Sequence, residues 1–163
     1  MLDAVAIAGQ VIVGRALGAG DGDGAYAASV RMIGWSTAIG AVIGAVLLGR
    51  GDLVLRAFTS DPAVLAHAAR IWPIFCLMQP LNGAAFALDG ILIGASDTRF
   101  LMVSMVAAAL GVFVPIAIAS LALGWGIVGV WAGLVALIAV RLAATGVRFL
   151  SRRWEATGVP ETA

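Results

Sequence analysis

Lysine is absent from this sequence, and cysteine, histidine and tyrosine each occur once among 163 residues. The lone Cys76 excludes a disulfide within the chain and a cysteine-based metal cluster. The lone His67 leaves histidine-based zinc sites and acid–base triads without partner residues. Charged residues make up 12% of the chain and the net charge is +1, so no basic surface indicates nucleic-acid binding. The sequence predicts neither an enzyme nor a metal site.

Apolar residues, in contrast, are abundant. They make up 62% of the chain, and the mean hydropathy is +1.06. An ordinary soluble domain is about 45–50% apolar, and a fold of this size cannot bury so large an excess. The excess must face lipid, where α-helices satisfy their own backbone hydrogen bonds. We therefore expect an all-α integral membrane protein.

Five apolar segments are candidates for membrane-spanning helices, each of which needs about 20 residues. The first is short, and we expect that it has lost its initial turns. The last span is prolonged by Arg141, whose side chain is expected to snorkel to the interface. Asp61 and Pro62 are typical of a helix start. The predicted spans are about 1–18, 32–49, 71–95, 100–123 and 125–147, and a short interfacial helix is predicted at about 62–70.

The arginines indicate an orientation. If the first segment runs inward, seven arginines lie on the cytoplasmic side and three outside, which agrees with the positive-inside rule. The C-terminus is then cytoplasmic. The cytoplasmic set is Arg15, Arg31, Arg99, Arg141, Arg148, Arg152 and Arg153, and the outer set is Arg50, Arg56 and Arg70.

A short motif occurs twice, with its aspartates at positions 21 and 97. Each copy follows an apolar segment on the predicted cytoplasmic side, and internal repeats are common in secondary transporters. Glycine favours the left-handed backbone that ends a helix, and aspartate accepts hydrogen bonds at the start of the next. We interpret both copies as structural turns rather than ligand contacts. The copies are Gly18-Ala19-Gly20-Asp21 and Gly94-Ala95-Ser96-Asp97, and Arg99 follows the second.

Polar residues inside the spans are the candidate site. Asp89 is the one acidic residue well inside a predicted span, where a charge is costly and normally faces a cavity or a partner. It is either a proton- or cation-responsive carboxylate in a cleft, or it pairs with Arg99 or a helix end. Gln79, Asn82 and Gln10 either make structural hydrogen bonds or contact a substrate.

Prolines and paired glycines shape the helices. We expect Pro73, Pro80 and Pro115 to bend or interrupt their helices rather than bind a ligand. Two small-residue motifs, Gly40-xxx-Gly44 and Gly129-xxx-Gly133, would let neighbouring helices approach closely.

Several stretches together resemble the multidrug and toxic compound extrusion (MATE) family of efflux transporters, and most closely its DNA-damage-inducible protein F branch. The resemblance extends from Leu2 to about Arg153. The stretches are 2–10, 13–21, 58–62, 79–80 and 88–99, the last reading Leu-Asp-Gly-Ile-Leu-Ile-Gly-Ala-Ser-Asp-Thr-Arg.

This resemblance implies twelve helices in two six-helix lobes that export small organic cations or drugs in exchange for H⁺ or Na⁺, without another cofactor. Residues 1–153 match helices eight to twelve of the C-terminal lobe, and 154–163 form a cytoplasmic tail. The N-terminal lobe, with the acidic residue that this branch uses for coupling, lies outside the match. A related branch places a carboxylate of the tenth helix at the position of Asn82.

Three functions follow from these observations. The first is part of a cation-coupled drug exporter in the plasma (inner) membrane, which contacts lipid and requires the missing N-terminal lobe. The second is a truncated membrane remnant or an assembly partner that does not transport. The third, a lipid-linked sugar flippase of the same superfamily, is disfavoured by the motif at 88–94.

Overall fold

The computed structural model describes residues 2–158, and this part of the chain is helical with no β-strand. Eight α-helices follow one another, and a π-helical turn at Ala109–Phe113 joins α6 to α7. A 3-10 helix, Glu155–Gly158, comes last. The α-helices are α1 Leu2–Gly18, α2 Gly22–Gly49, α3 Gly51–Phe58, α4 Pro62–Leu77, α5 Gln79–Gly94, α6 Thr98–Ala108, α7 Val114–Ala122 and α8 Gly126–Leu150.

Three helical stretches are long and apolar enough to cross a membrane: α2, α6 with α7, and α8. Helices α4 and α5 make a fourth span if they are counted together, although they are bent by 51°. Helix α1 has 17 residues, about 26 Å at 1.5 Å per residue, against about 30 Å of hydrocarbon. The prediction of an all-α membrane fold is confirmed, and α1 corresponds to the short first segment.

Helix α5 lies at the centre of the bundle, packed against α1 and α2. A Cβ atom added at Gly90 would overlap the backbone of Ala6 in α1, and one added at Gly83 would overlap the backbone of Ser36 in α2. On α2, Gly40 and Gly44 leave room for the backbone of residues 76–80, which an added Cβ atom would overlap. These contacts require glycine because the helix backbones themselves touch, and the predicted role of Gly40 and Gly44 is confirmed.

Several helix bounds differ from the prediction. Helix α2 begins at Gly22 rather than 32, because Asp21 accepts a hydrogen bond from the Gly24 amide (2.8 Å) and starts the helix among polar residues. Helix α3 was not predicted. Asp61 caps α4 as expected, but α4 continues to Leu77, so 62–70 is not a separate helix.

The predicted span 71–95 is interrupted at Met78, between α4 and α5. Pro80 lies in the first turn of α5, where its missing N–H removes no intrahelical bond. The Gln79 side chain donates to the Phe75 carbonyl (3.2 Å), which satisfies an acceptor at the break. Proline therefore sets the position of the bend.

The predicted cytoplasmic tail, 154–163, begins with a residue that is buried in the helix bundle. Trp154 is fully buried and its indole Nε1 donates to the Phe149 carbonyl (2.9 Å), so it belongs to the core rather than to the membrane interface. Residues 159–163 of the predicted tail, and Met1 of the predicted first helix, lie outside the described residues.

The glycine contacts lead to a stability prediction. Gly90→Ala should lower the free energy of unfolding by about 1–3 kcal/mol, the usual cost of overpacking, because α1 must move away from α5. The matched change Gly34→Ala is made in α2, where an added Cβ meets no atom within 4 Å. It should leave stability unchanged or raise it slightly through better helix propensity. Denaturation of the purified chain in detergent, followed by circular dichroism, measures both. Equal stability of the two variants would contradict this packing argument.

Candidate functional site

One face of α5 is left partly open by its packing against α1 and α2. Asn82, Phe86, Asp89 and Ile93 recur every three or four residues along this face, and each is half-buried or exposed. The opposite face, which holds Gly83, Ala87, Gly90 and Ile91, is buried. The glycine contacts therefore determine which polar residues of α5 can meet a ligand or another helix.

Asp89 forms an ion pair with Arg141 of α8. The Arg141 Nη2 atom lies 2.5 Å from Asp89 Oδ2, and the two side chains are 19% and 18% exposed respectively. This pair corrects one expectation, since Asp89 pairs with Arg141 rather than with Arg99. An isolated charge within an apolar span is costly, and charged groups there pair with one another.

The ion pair is made through one hydrogen bond rather than two. Asp89 Oδ1 and Arg141 Nε are both buried and have no hydrogen-bond partner among the described residues. A bidentate arginine–carboxylate pair would use both oxygens and is the stronger arrangement. Each charged group therefore keeps a buried polar atom without a partner, and Oδ1 is an acceptor that a proton or cation could bind.

The other candidate polar residues do not all converge on Asp89. Asn82 lies on the same face of α5, seven residues away and thus about 10 Å along the helix axis. Gln79 is buried against α2 and is used at the bend between α4 and α5. Gln10 is half-buried on α1, where its backbone packs against Gly94. The structure thus places only Asn82 and Asp89 on one surface.

Two of the three prolines expected to shape the helices lie next to an irregularity of the backbone. Pro80 follows the 51° bend, and Pro115 is the second residue of α7, which begins where the π-helical turn ends. Pro73 lies within α4 without ending it. Because π-helical turns are frequent at functional sites, residues 109–113 are an additional feature that sequence reasoning missed.

The two copies of the repeated motif have the same backbone geometry. Gly20 and Ser96 are equivalent positions, and both have positive φ (76° and 61°). In each copy the aspartate amide donates to the carbonyl five residues earlier, Asp21 to Ala16 and Asp97 to Leu92, both at 2.9 Å. This is the Schellman arrangement that ends helices. Gly18 and Gly94 lie just before these turns, at the last residues of α1 and α5.

The aspartates of the two copies have different partners. Asp21 caps α2, as described above, but Asp97 makes no capping bond to α6. Its Oδ2 accepts instead from Arg148 Nε at 2.6 Å, and the Asp97 side chain is only 6% exposed. The expectation that Asp97 caps the next helix is wrong, because burial next to an arginine favours an ion pair. Arg99 is exposed.

Sequence reasoning missed the roles of Arg141 and Arg148. They lie seven residues apart on α8 and each pairs with an aspartate of the α5–α6 region. One signal was available, since Arg141 and Asp89 are opposite charges within apolar segments and such charges generally need partners. No group of three metal-binding side chains occurs in the described part of the chain.

Comparison with known proteins identifies the class. Residues 2–119 match the family model described as MatE. The chain is 33% identical to Protein DETOXIFICATION 42 of Arabidopsis thaliana, with 88% of this chain and 27% of that protein covered. It is also 33% identical to Multidrug and toxin extrusion protein 1 of Mus musculus, with 79% and 23% covered. The uncharacterized transporter YisQ of Bacillus subtilis is 24% identical, with 92% and 33% covered.

A solved structure has the same fold. The eukaryotic MATE transporter AtDTX14 superposes with a TM-score of 0.88 at 21% identity, which covers 96% of this chain and 35% of that one. The chain therefore has the fold of part of a transporter and is a multi-pass membrane protein. It belongs to the MATE family, and it spans about a quarter to a third of the length of these curated relatives.

The ion pair leads to a second stability prediction. Arg141→Gln should destabilise the chain by less than the 3–5 kcal/mol typical of breaking a fully buried pair, because both side chains are partly exposed. The double variant Asp89→Asn/Arg141→Gln should recover most of the loss, since no charge is then left unpaired. Unfolding free energies in detergent give the coupling of the two residues as a double-mutant cycle.

Arg99→Gln is the matched control for this prediction. It removes an exposed positive charge near the same end of α5 and should change stability by no more than about 0.5 kcal/mol. A larger effect at Arg99 than at Arg141 would contradict the pairing described above.

Proposed function

We propose that this chain forms most of the C-terminal lobe of a multidrug efflux antiporter, which exports small organic cations in exchange for H⁺ or Na⁺. The observation that carries this proposal is the MatE match over residues 2–119, with a mouse relative named for multidrug and toxin extrusion. The fold match to part of a MATE transporter agrees with it. The N-terminal lobe of such a transporter is the partner that this function requires.

Asp89 is the proposed proton- or cation-responsive carboxylate, and Arg141 is its counter-ion. While the two are paired, the site has no net charge and little attraction for a cation. The unused Oδ1 atom of Asp89 offers an entry point for a proton or cation. If α8 moves relative to α5, the pair opens and Asp89 becomes available. Asn82, on the same face of α5, would line the cleft that opens.

The proposed location is the plasma (inner) membrane with the C-terminus in the cytoplasm. The arginine distribution supports this orientation. The α1–α2 turn, the α5–α6 turn and the end of α8 lie together at one end of the bundle, since Tyr26 stacks on Phe149 and Asp97 binds Arg148. The motif at 88–99 supports placement in the DNA-damage-inducible protein F branch.

The first test of the function uses the native gene. A C-terminal tag at the chromosomal locus should reveal a membrane protein much larger than 16.5 kDa, and deletion of the locus should raise ethidium accumulation in the cells. Collapsing the proton gradient with an ionophore, or removing Na⁺, then identifies the coupling ion. A membrane-inserted product whose deletion leaves ethidium accumulation unchanged would favour the non-transporting remnant or assembly partner instead.

The second test concerns Asp89. In the chromosomal gene, Asp89→Asn should reduce ethidium efflux to the rate of the deletion strain, because the amide can neither release a proton nor bind a cation strongly. Asp89→Glu should retain part of the activity. Asp52→Asn, which changes an exposed carboxylate of α3, should leave efflux unchanged. All variants are compared at equal membrane abundance by blot, and normal efflux by Asp89→Asn would contradict the role of Asp89.

A further inference from the structure

The end of α8 and the residues just after it bind the α5–α6 turn and the start of α2 through two arginines. Arg148 Nε lies 2.6 Å from Asp97 Oδ2 at the α5–α6 turn. Arg152 Nη2 lies 2.6 Å from Asp23 Oδ1, just after the α1–α2 turn. The two arginines are four residues apart, so one short segment connects two helix pairs that are distant in the sequence.

Both arginines contact the same arrangement of side chains, an aspartate and an aromatic ring. Three residues after each aspartate comes an aromatic ring, Phe100 after Asp97 and Tyr26 after Asp23. The guanidinium carbon of Arg148 lies 5.2 Å from the Phe100 ring centroid, and that of Arg152 lies 4.9 Å from the Tyr26 centroid. Residues three apart share one face of a helix. Each guanidinium is therefore held by an ion pair and a cation–π contact together.

Aromatic stacking also attaches this segment to the bundle. Phe149 is stacked between Tyr26, at 4.9 Å between ring centroids, and Trp154, at 5.6 Å. Phe149 and Trp154 both belong to the buried core. The segment that carries the two arginines is thus held in place on both sides of the point where α8 ends.

The two ion pairs differ in their exposure to solvent. At the first, Asp97 is 6% exposed and Arg148 is 21% exposed. At the second, Asp23 is 91% exposed and Arg152 is 42% exposed. Salt screens exposed pairs strongly and buried pairs much less. The Arg152–Asp23 contact is therefore the one that ionic strength can open.

Arg152 is also held in an unfavourable backbone conformation. Its φ is 55°, in the left-handed region that favours glycine. A second ion pair, from Arg152 Nε to Glu155 Oε1 at 2.6 Å, accompanies this geometry. Hydrogen bonds to Glu155 and Asp23 raise the pKa of Arg152 above its usual range, so this guanidinium stays charged.

We propose that residues 148–155 form a C-terminal latch with one permanent contact and one releasable contact. The Arg148–Asp97 contact keeps the α5–α6 turn attached to α8. The Arg152–Asp23 contact attaches the start of α2 to the segment after α8 and opens when its ion pair is weakened, which loosens residues 22–28. The latch is a property of the fold and does not depend on the proposed transport function.

Amide hydrogen exchange of the full chain in uncharged detergent micelles, measured by mass spectrometry, tests this latch. In the wild type, raising NaCl from about 0.05 M to 1 M shortens the Debye length from roughly 14 Å to 3 Å. Exchange in residues 22–28 should then accelerate severalfold, while exchange in residues 96–102 should stay the same. Arg152→Gly keeps the left-handed backbone but removes the guanidinium, so residues 22–28 should exchange rapidly at both salt concentrations.

Arg153→Gln is the matched control, because Arg153 is exposed and makes no ion pair with the described carboxylates. It should keep the salt response of the wild type. Asp97→Asn should accelerate exchange in residues 96–102, which the Arg152 variant leaves slow. Salt-independent exchange of residues 22–28 in the wild type, or the same response in the Arg152 and Arg153 variants, would overturn the proposal.

Discussion

Direct contact between helix backbones, made where a side chain is missing, is the constraint on which the rest of this bundle depends. Helix α5 touches α1 at Gly90 and α2 at Gly83. In lipid, helices gain little from burying apolar side chains against each other, so close packing at small residues has to supply much of the association. The face of α5 that holds these two glycines is committed in this way. The face that carries Asp89 is the one that remains for α8 and for any ligand.

Charge is scarce within the spans, and the structure uses it in pairs. Asp89 binds Arg141, and Asp97 binds Arg148, so two aspartates near the end of α5 meet two arginines of one helix. A pair of this kind holds α8 against α5 only while both partners keep their charge. Protonation or cation binding at Asp89 would therefore change the attraction between these helices, and chemistry at one carboxylate would be connected to helix movement.

The sequence predicts the helices better than their contacts. Long apolar runs and the Asp61–Pro62 cap are local signals, and they locate most of the spans. The start of α2 was missed because residues 22–31 include glycine, aspartate and arginine, and the helix there depends on the Asp21 cap. The ion pairs join residues 52 and 51 positions apart. No local pattern contains that information, although an unpaired charge in an apolar run shows that some partner is needed.

The two copies of the repeated turn share one backbone conformation, but their aspartate side chains have different roles. Gly20 and Ser96 adopt the same left-handed conformation, yet Asp21 caps a helix whereas Asp97 binds an arginine. After the first copy, Arg152 pairs with Asp23, which lies two residues beyond Asp21. The exposed pair and the buried pair therefore arise from a two-residue difference in where the carboxylate lies relative to the turn. The backbone ends the helix in both copies, and the two carboxylates that pair with arginines after the turns differ in their exposure to solvent.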